Sequence, residues 1–481
     1  MQFAIFIFQS SIFNVLVASC SCFLLHPTPT PYRLIRAKIQ VMKIGPAKRI
    51  RGHLALPGDK SISHRAAMIA ALAEGTSHIR NFSNNEDCAA TLKCLEQLGV
   101  SIGREGSNIE VEGVGGRGLR RPGDRLDCRN SGSTMRMLSG ILAGQNFNST
   151  LTGDSSLLSR PMGRIMEPLE LMGARVSANG GCAPLLIEGR RPLKSIRYEL
   201  PVPSAQVKSC VLLAGVFAEG RTEVIENRPT RDHTERMLEW FDAPIEAREE
   251  ERDGLRVKIA AVEGPGSLQA RDVSIPGDIS SAAYFIAAAA LLAGSDLKIA
   301  DVGLNPTRAE FLDVFSSLGA NVSIEKRFER CNEPVGTIIV RGKPPKKPKE
   351  RGRSAHMVRG ALIPQLIDEL PLLAVFGTQV DGGVEIRDAA ELRVKESDRI
   401  KATVANLRAM GARVEEFDDG LSVAGPTRLR GATVEPAGDH RIAMAFAVAG
   451  LLAEGETEIR NPECVAVSFP GFFDLLSSVE D

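Results

Sequence analysis

One phrase recurs six times in this chain, and that recurrence constrains the fold more than any other feature, because each copy must build the same local unit. The phrase is an apolar helix-like run, a turn closed by glycine, and a strand-like run of alternating polarity. It reads Ala71-Leu-Ala-Glu-Gly75, Leu142-Ala-Gly144, Phe217-Ala-Glu-Gly220, Leu292-Ala-Gly294, Val375-Phe-Gly377 and Leu452-Ala-Glu-Gly455. Gly75 and Gly455 lie five intervals of about 76 residues apart. That is too long for a short solenoid repeat and suits helix–strand–helix–strand modules. A second phrase ends a helix and turns into a strand, at Gly99, Gly173, Gly319 and Gly411. Its third copy, Leu238-Glu-Trp-Phe-Asp242, has aspartate in the glycine position. A left-handed residue closes a helix there; glycine adopts that conformation freely, aspartate less so.

A third phrase shows how the units group. Leu56-Pro-Gly-Asp59 returns 219 residues later as Ile275-Pro-Gly-Asp278, an interval of three units. The chain thus reads as two similar halves of three units each, two lobes joined by a hinge, with the cleft between them as the ligand site. The expected lobes are 42–58 with 277–481, and 59–276. The run Ser280–Gly294 is apolar on every side, so helices are expected at the lobe centres with sheets outside. That run is too short for a membrane span. Residues 1–41 are expected to lie outside the fold. Their apolar stretch Gln2–Leu25 lacks the preceding cation of a signal peptide and reads as an upstream extension or a cleaved targeting piece.

Lys plus Arg and Asp plus Glu both total 59, so the net charge is zero, which excludes a protein that coats nucleic acid or an anionic membrane. Aromatics at 5% leave no base-stacking platform. Nine scattered cysteines and seven unpaired histidines predict neither a disulfide framework nor a metal site, and a reducing cytoplasm. The basic run Lys343–Arg353 reads as an exposed loop.

The chemistry gathers at helix starts. In Pro57-Gly-Asp-Lys60-Ser-Ile-Ser-His-Arg65 a turn precedes a helix whose free N–H groups, dipole and cations make an anion site. A capped helix with solvated charges is the bland alternative. Asn130-Ser-Gly132-Ser-Thr-Met-Arg136 has the same logic, glycine letting a ligand approach the backbone. Arg160-Pro-Met-Gly163, Ser204-Ala-Gln206, Arg231-Asp-His-Thr234, Leu392-Arg-Val-Lys-Glu-Ser-Asp-Arg399 and Asp439-His-Arg441 bring further cations to helix starts.

These strings, with Ile367-Asp-Glu-Leu-Pro371, resemble in order the 5-enolpyruvylshikimate-3-phosphate synthase family, from about Met42 onward. The resemblance implies an α/β (α+β) fold, a two-lobed inside-out barrel of six βαβαββ units. It implies transfer of the enolpyruvyl group of phosphoenolpyruvate to the 5-hydroxyl of shikimate 3-phosphate, with no cofactor, in a cytoplasmic monomer. It assigns Lys60 to both substrates. Ser61, Arg65, Ser204, Ala205, Gln206, Arg231, Asp368 and Lys395 fall to shikimate 3-phosphate. Gly132, Arg160, Gln206, Arg399 and Arg441 fall to phosphoenolpyruvate. It makes Asp368 the base and Glu396 the proton donor, with Lys60 alongside them in catalysis; the local string leaves Glu369 as a rival to Asp368. The resemblance also places the inhibitor glyphosate in the phosphoenolpyruvate pocket beside Gly132. Ser133 stands where threonine is common, and Val467 where other branches place lysine, so no contact is assigned there. The competing readings are a UDP-N-acetylglucosamine enolpyruvyl transferase and a non-catalytic binding protein of the same fold.

Overall fold

The computed structural model describes residues 40–252, 254–343 and 355–481. The readings of the amino-terminal segment and of the Lys343–Arg353 run lie outside the described residues, save for the ends of each.

Six sheets form among the described residues. In each, a parallel strand pair continues into an antiparallel neighbour, so the repeated phrase corresponds to a repeated topology. The second phrase ends as its chemistry requires: φ is +92° at Gly99, +98° at Gly173, +104° at Gly319, +86° at Gly411 and +61° at Asp242. Aspartate adopts the left-handed conformation there because its short polar side chain tolerates it.

The sheet of the sixth unit is completed by a strand from far upstream in the chain. Val41–Ile44 pairs antiparallel with Thr457–Arg460, Val41 opposite Arg460, and Asn461 N donates to the Gln40 carbonyl at 3.0 Å. The ladder includes Val41.

The two halves also trade strands. Arg51–Ala55 leads into the helix Lys60–Leu72, yet it pairs parallel with Asp296–Gly303 of the other half. Val273–Ser274 leads into Ile279–Leu291, yet it pairs parallel with Glu74–Arg80. The two crossings meet at the Pro-Gly-Asp turns.

Two large hydrophobic cores result. One runs from Ile62 to Ile275; the other joins Ile44–Leu56 to Ile279–Val479. Lys60–Leu72, Gly132–Ala143 and Ala205–Gly215 lie in the first, and Ile279–Leu291, Leu370–Gly377 and His440–Leu452 in the second. These helices are buried almost throughout; in Ile279–Leu291 only Leu291 is not. Apolar residues on every face leave no polar side for water, so the helices occupy the middle and the sheets face outward. Small residues set their spacing. A Cβ on Gly140 would lie 2.1 Å from the Cys210 carbonyl oxygen, so any larger residue would part Gly132–Ala143 from Ala205–Gly215. No described helix is long and apolar enough to cross a membrane. The seven described cysteines are free.

Candidate active site

Five helices begin on the wall of one cavity of about 240 Å³: Lys60–Leu72, Gly132–Ala143, Ala205–Gly215, Arg399–Ala409 and His440–Leu452. Asp278, the cap of Ile279–Leu291, brings a sixth helix start to it. Caps hold these starts in place. Asp59 accepts from Ile62 N at 2.9 Å, Ser131 from Thr134 N at 3.1 Å, and Asp439 from Arg441 N at 2.9 Å. The unpaired N–H groups and the positive dipole ends thus converge on one space from both cores.

The wall carries ten Lys and Arg against six Asp and Glu, an excess of four positive charges. The zero net charge of the chain conceals that concentration. The acids are not remote, however: they lie on the same wall and occupy its cations. Arg231 Nη2 meets Asp368 Oδ2 at 2.5 Å, and Arg160 Nη1 meets Glu396 Oε1 at 3.2 Å. Both pairs join the first core's body to the second's. Arg399 donates to Asp439 at 2.8 Å, to Glu396 at 2.6 Å and to Asp368 at 3.3 Å. Lys60 Nζ donates to Asp87 at 2.9 Å, and Lys395 Nζ to Glu391 at 2.8 Å.

These pairings set the protonation states. Burial favours the neutral form of Asp368, but Arg441, Arg231, Arg399 and Lys395 outweigh it and hold the carboxyl well below its usual range. Burial likewise opposes ionisation of Glu396, and Arg399 and Arg160 overcome it. Burial also works against the Lys60 charge, yet Asp87 keeps its pKa raised, so the ammonium persists. Arg136 shows the opposite strain: burial, with Arg160 adding repulsion, brings it down to about 10. An anion bound between Arg136 and Arg160 would relieve it.

All the residues singled out in the sequence line this cavity except Arg65. Arg65 is buried behind it, donating to the Ser61 carbonyl at 2.9 Å, to Ser209 Oγ at 2.8 Å and to Thr234 Oγ1 at 2.7 Å. Its N–H groups thereby tie together the helix that carries Ser61, the helix that begins at Ala205, and His233–Trp240, which follows Arg231. Asp368 and Glu369, the rival candidates for the base, are placed differently. Asp368 faces the cavity, while Glu369 is 2% exposed and accepts from Ser280 Oγ.

Among the wall residues given no role from the sequence are Asp87, Arg136, Arg308 and His440. Arg136 was within reach, because it stands four residues after Gly132 on one helix face. It donates to Gln206 Oε1 at 2.7 Å, and Gln206 Nε2 in turn donates to Ser133 Oγ at 2.9 Å. Asp87 and Arg308 lie in first turns of helices, Glu86–Gln97 and Pro306–Ser317, that carry no distinctive string. Burial, Lys60 and Arg441 hold His440 far below its usual range, hence neutral.

The EPSP synthase (3-phosphoshikimate 1-carboxyvinyltransferase) family model matches residues 44–476. A 3-phosphoshikimate 1-carboxyvinyltransferase of Koribacter versatilis is 52% identical over 91% of this chain and 99% of its own length. One of Pelotomaculum thermopropionicum is 50% identical over 91% and 98%. The structure of an EPSP synthase from Acinetobacter baumannii superposes with a TM-score of 0.78 at 40% identity, covering 92% of this chain and 98% of the other. The enolpyruvyl transferase NikO from Streptomyces tendae, at 18% identity and a TM-score of 0.70, covering 92% and 98%, shares the fold.

Proposed function

Because the chain belongs to the EPSP synthase family, we propose that its cavity assembles shikimate 3-phosphate and phosphoenolpyruvate on the wall residues described above. The chain catalyses the family's reaction, transfer of the enolpyruvyl group of phosphoenolpyruvate to the 5-hydroxyl of shikimate 3-phosphate with release of phosphate. Both substrates are polyanions, and the excess of positive charge on the wall suits their joint binding.

One observation carries the division of labour: Asp368 and Glu396 share Arg399, yet each also engages an arginine of the opposite body. In our reading these carboxylates are placeholders. The substrate anions take over Arg231 and Arg160, and the two acids are released for proton work. Shikimate 3-phosphate sits against Lys60, Ser61, Ser204, Ala205, Gln206, Arg231 and Lys395. Phosphoenolpyruvate sits against Lys60, Gly132, Arg160, Gln206, Arg399 and Arg441. Arg65 acts from behind, by fixing Ser61.

The 5-hydroxyl oxygen bonds to C2 of phosphoenolpyruvate as Asp368 takes its proton. Glu396 delivers a proton to the C3 methylene, giving a tetrahedral intermediate. In the second step Glu396 takes a C3 proton back, the C2–O bond to phosphate breaks, and the hydroxyl proton departs with the phosphate. Arg399 and Arg160 hold Glu396 ionised, so it must gain its proton after the substrate anions have offset them. The lobes 42–58 with 277–481, and 59–276, close on the substrates. The site is complete within one chain, which supports a monomer, and the zero net charge supports a cytoplasmic enzyme without nucleic-acid or membrane partners.

A phosphate-release assay tests the reading. Release is expected with shikimate 3-phosphate and phosphoenolpyruvate, and none when UDP-N-acetylglucosamine replaces the first. The reverse result would establish the amino-sugar transferase instead, and silence with both a binding protein. Gly132 supplies a second test. A Cβ there would lie 2.8 Å from Arg136 Nη1 and 3.3 Å from Arg160 Nη1, both ends of flexible chains. Gly132→Ala is expected to raise the inhibition constant of glyphosate more than KM for phosphoenolpyruvate; equal rises would show that the pocket does not distinguish them.

A further inference from the structure

Arg308 belongs to no step above. It stands in the first turn of Pro306–Ser317, is 2% exposed, and reaches the point where the two Pro-Gly-Asp turns cross. Those turns bind each other reciprocally: Asp59 N donates to the Pro276 carbonyl at 2.8 Å, and Asp278 N to the Pro57 carbonyl at 3.0 Å. Their aspartates are both buried, which brings two like charges together in a low dielectric. Arg308 lies between them, Nη1 at 3.5 Å from Asp59 Oδ2 and Nη2 at 3.7 Å from Asp278 Oδ1. It also donates to Ser280 Oγ, and at 3.3 Å to Ser61 Oγ.

The repeat makes this cation conspicuous. Asn305 and Asn85 cap equivalent helices of the two halves; three residues on, one half has Arg308 and the other Cys88. A single cation, from one half only, thus serves both turns.

We propose that Arg308 is a positioning residue for recognition of shikimate 3-phosphate, acting through the Ser61 hydroxyl. A serine hydroxyl has one proton to donate and two lone pairs. The Arg308 N–H occupies a lone pair, which leaves the Ser61 O–H to donate into the cavity, toward an anion. The fork of Arg308 also locks Ser61 to the hinge, so the donor is aimed only when Asp59 and Asp278 are side by side. The proposal rests on the reading of Ser61 as a substrate contact.

The test is a double-mutant cycle on the full chain, with Arg308→Met and Arg308→Lys each made in the parent and in Ser61→Ala. Binding of shikimate 3-phosphate alone is measured by calorimetry, and KM for both substrates and kcat by phosphate release. Arg308→Met is expected to weaken shikimate 3-phosphate binding about tenfold or more in the parent, in line with loss of one charge-assisted hydrogen bond. In the Ser61→Ala background the loss is expected to shrink to about threefold or less. KM for phosphoenolpyruvate is expected to move less. Arg308→Lys keeps a charge between the aspartates but lacks the fork, so it folds and shows the same selective loss. An equal loss in both backgrounds, or normal binding by a folded Arg308→Lys, would reduce Arg308 to a counter-ion and overturn the proposal. If Ser61→Ala alone leaves binding unchanged, the reading of Ser61 fails first and the proposal falls with it.

Discussion

Asp368→Asn is expected to lower kcat about a thousandfold, the middle of the range for loss of a positioned general base, equivalent to about 4 kcal/mol in the barrier. Asparagine keeps the shape and one of the two acceptor oxygens, so it can accept from Arg231 or from Arg399 but not from both as the carboxylate does; KM for both substrates is still expected to change less than kcat. The pH dependence sharpens the test. Arg441, Arg231, Arg399 and Lys395 hold Asp368 well below the usual carboxylate range, against the effect of burial. The carboxylate is therefore ionised, and a weak base, until anions arrive. Bound phosphate and carboxylate groups offset those cations and raise its proton affinity. The acid limb of kcat, which reports the loaded enzyme, is expected at higher pH than any limb Asp368 imposes on kcat/KM. As pH falls through that limb the base is protonated and the rate drops. Asp368→Asn is expected to abolish the limb along with the rate; a loss of tenfold or less, or a limb that survives the substitution, would assign the base elsewhere.

Lys60→Ala is the second large effect. Lys60 begins a helix, its ammonium is kept charged by Asp87, and it lines the cavity. Removing it takes one cation from both binding reactions and strands the buried Asp87 carboxylate without a partner. A loss in kcat/KM of at least about a hundredfold is expected, about 2.7 kcal/mol. Asp87→Asn offers the contrast, since it frees Lys60 rather than removing it and is expected to cost much less. Should Lys60→Ala lose tenfold or less, Lys60 is a peripheral charge.

What could be read ahead of the structure follows from the range of the forces involved. The six units were legible because each depends on local chemistry, a buried helix in all six and a left-handed closing residue in five, even where Asp242 replaces glycine. The helix starts carrying Lys60, Gly132, Ala205 and Arg441 were legible for the same reason. The strand exchange was not. Arg51–Ala55 and Asp296–Gly303 carry ordinary strand patterns, and nothing local says which distant edge each will meet. The withdrawal of Arg65 behind the wall was equally hidden, because Ser209 and Thr234, which occupy it, come from other helices. Asp368 and Glu396 were named from their strings, but Asp87 and Glu391 beside them were missed because charge totals carry no position. Asp368 and Glu369 differ only in which way one turn of backbone aims them.

The traded strands also impose a schedule on the ribosome. The body built around Ile62–Ile275 has its last strand once Val273–Ser274 emerges, and can close while everything after it is unmade. The other body cannot. Arg51–Ala55 waits for Asp296–Gly303, and Val41–Ile44 waits for Thr457–Arg460, far downstream of it. Until then the nascent chain trails an unpaired edge, the kind of segment that seeks partners on neighbouring chains. Lys43, Lys48, Arg49 and Arg51 crowd that stretch with positive charge. Two nascent copies that meet there repel each other, and the edge is kept for the partner that has yet to be made.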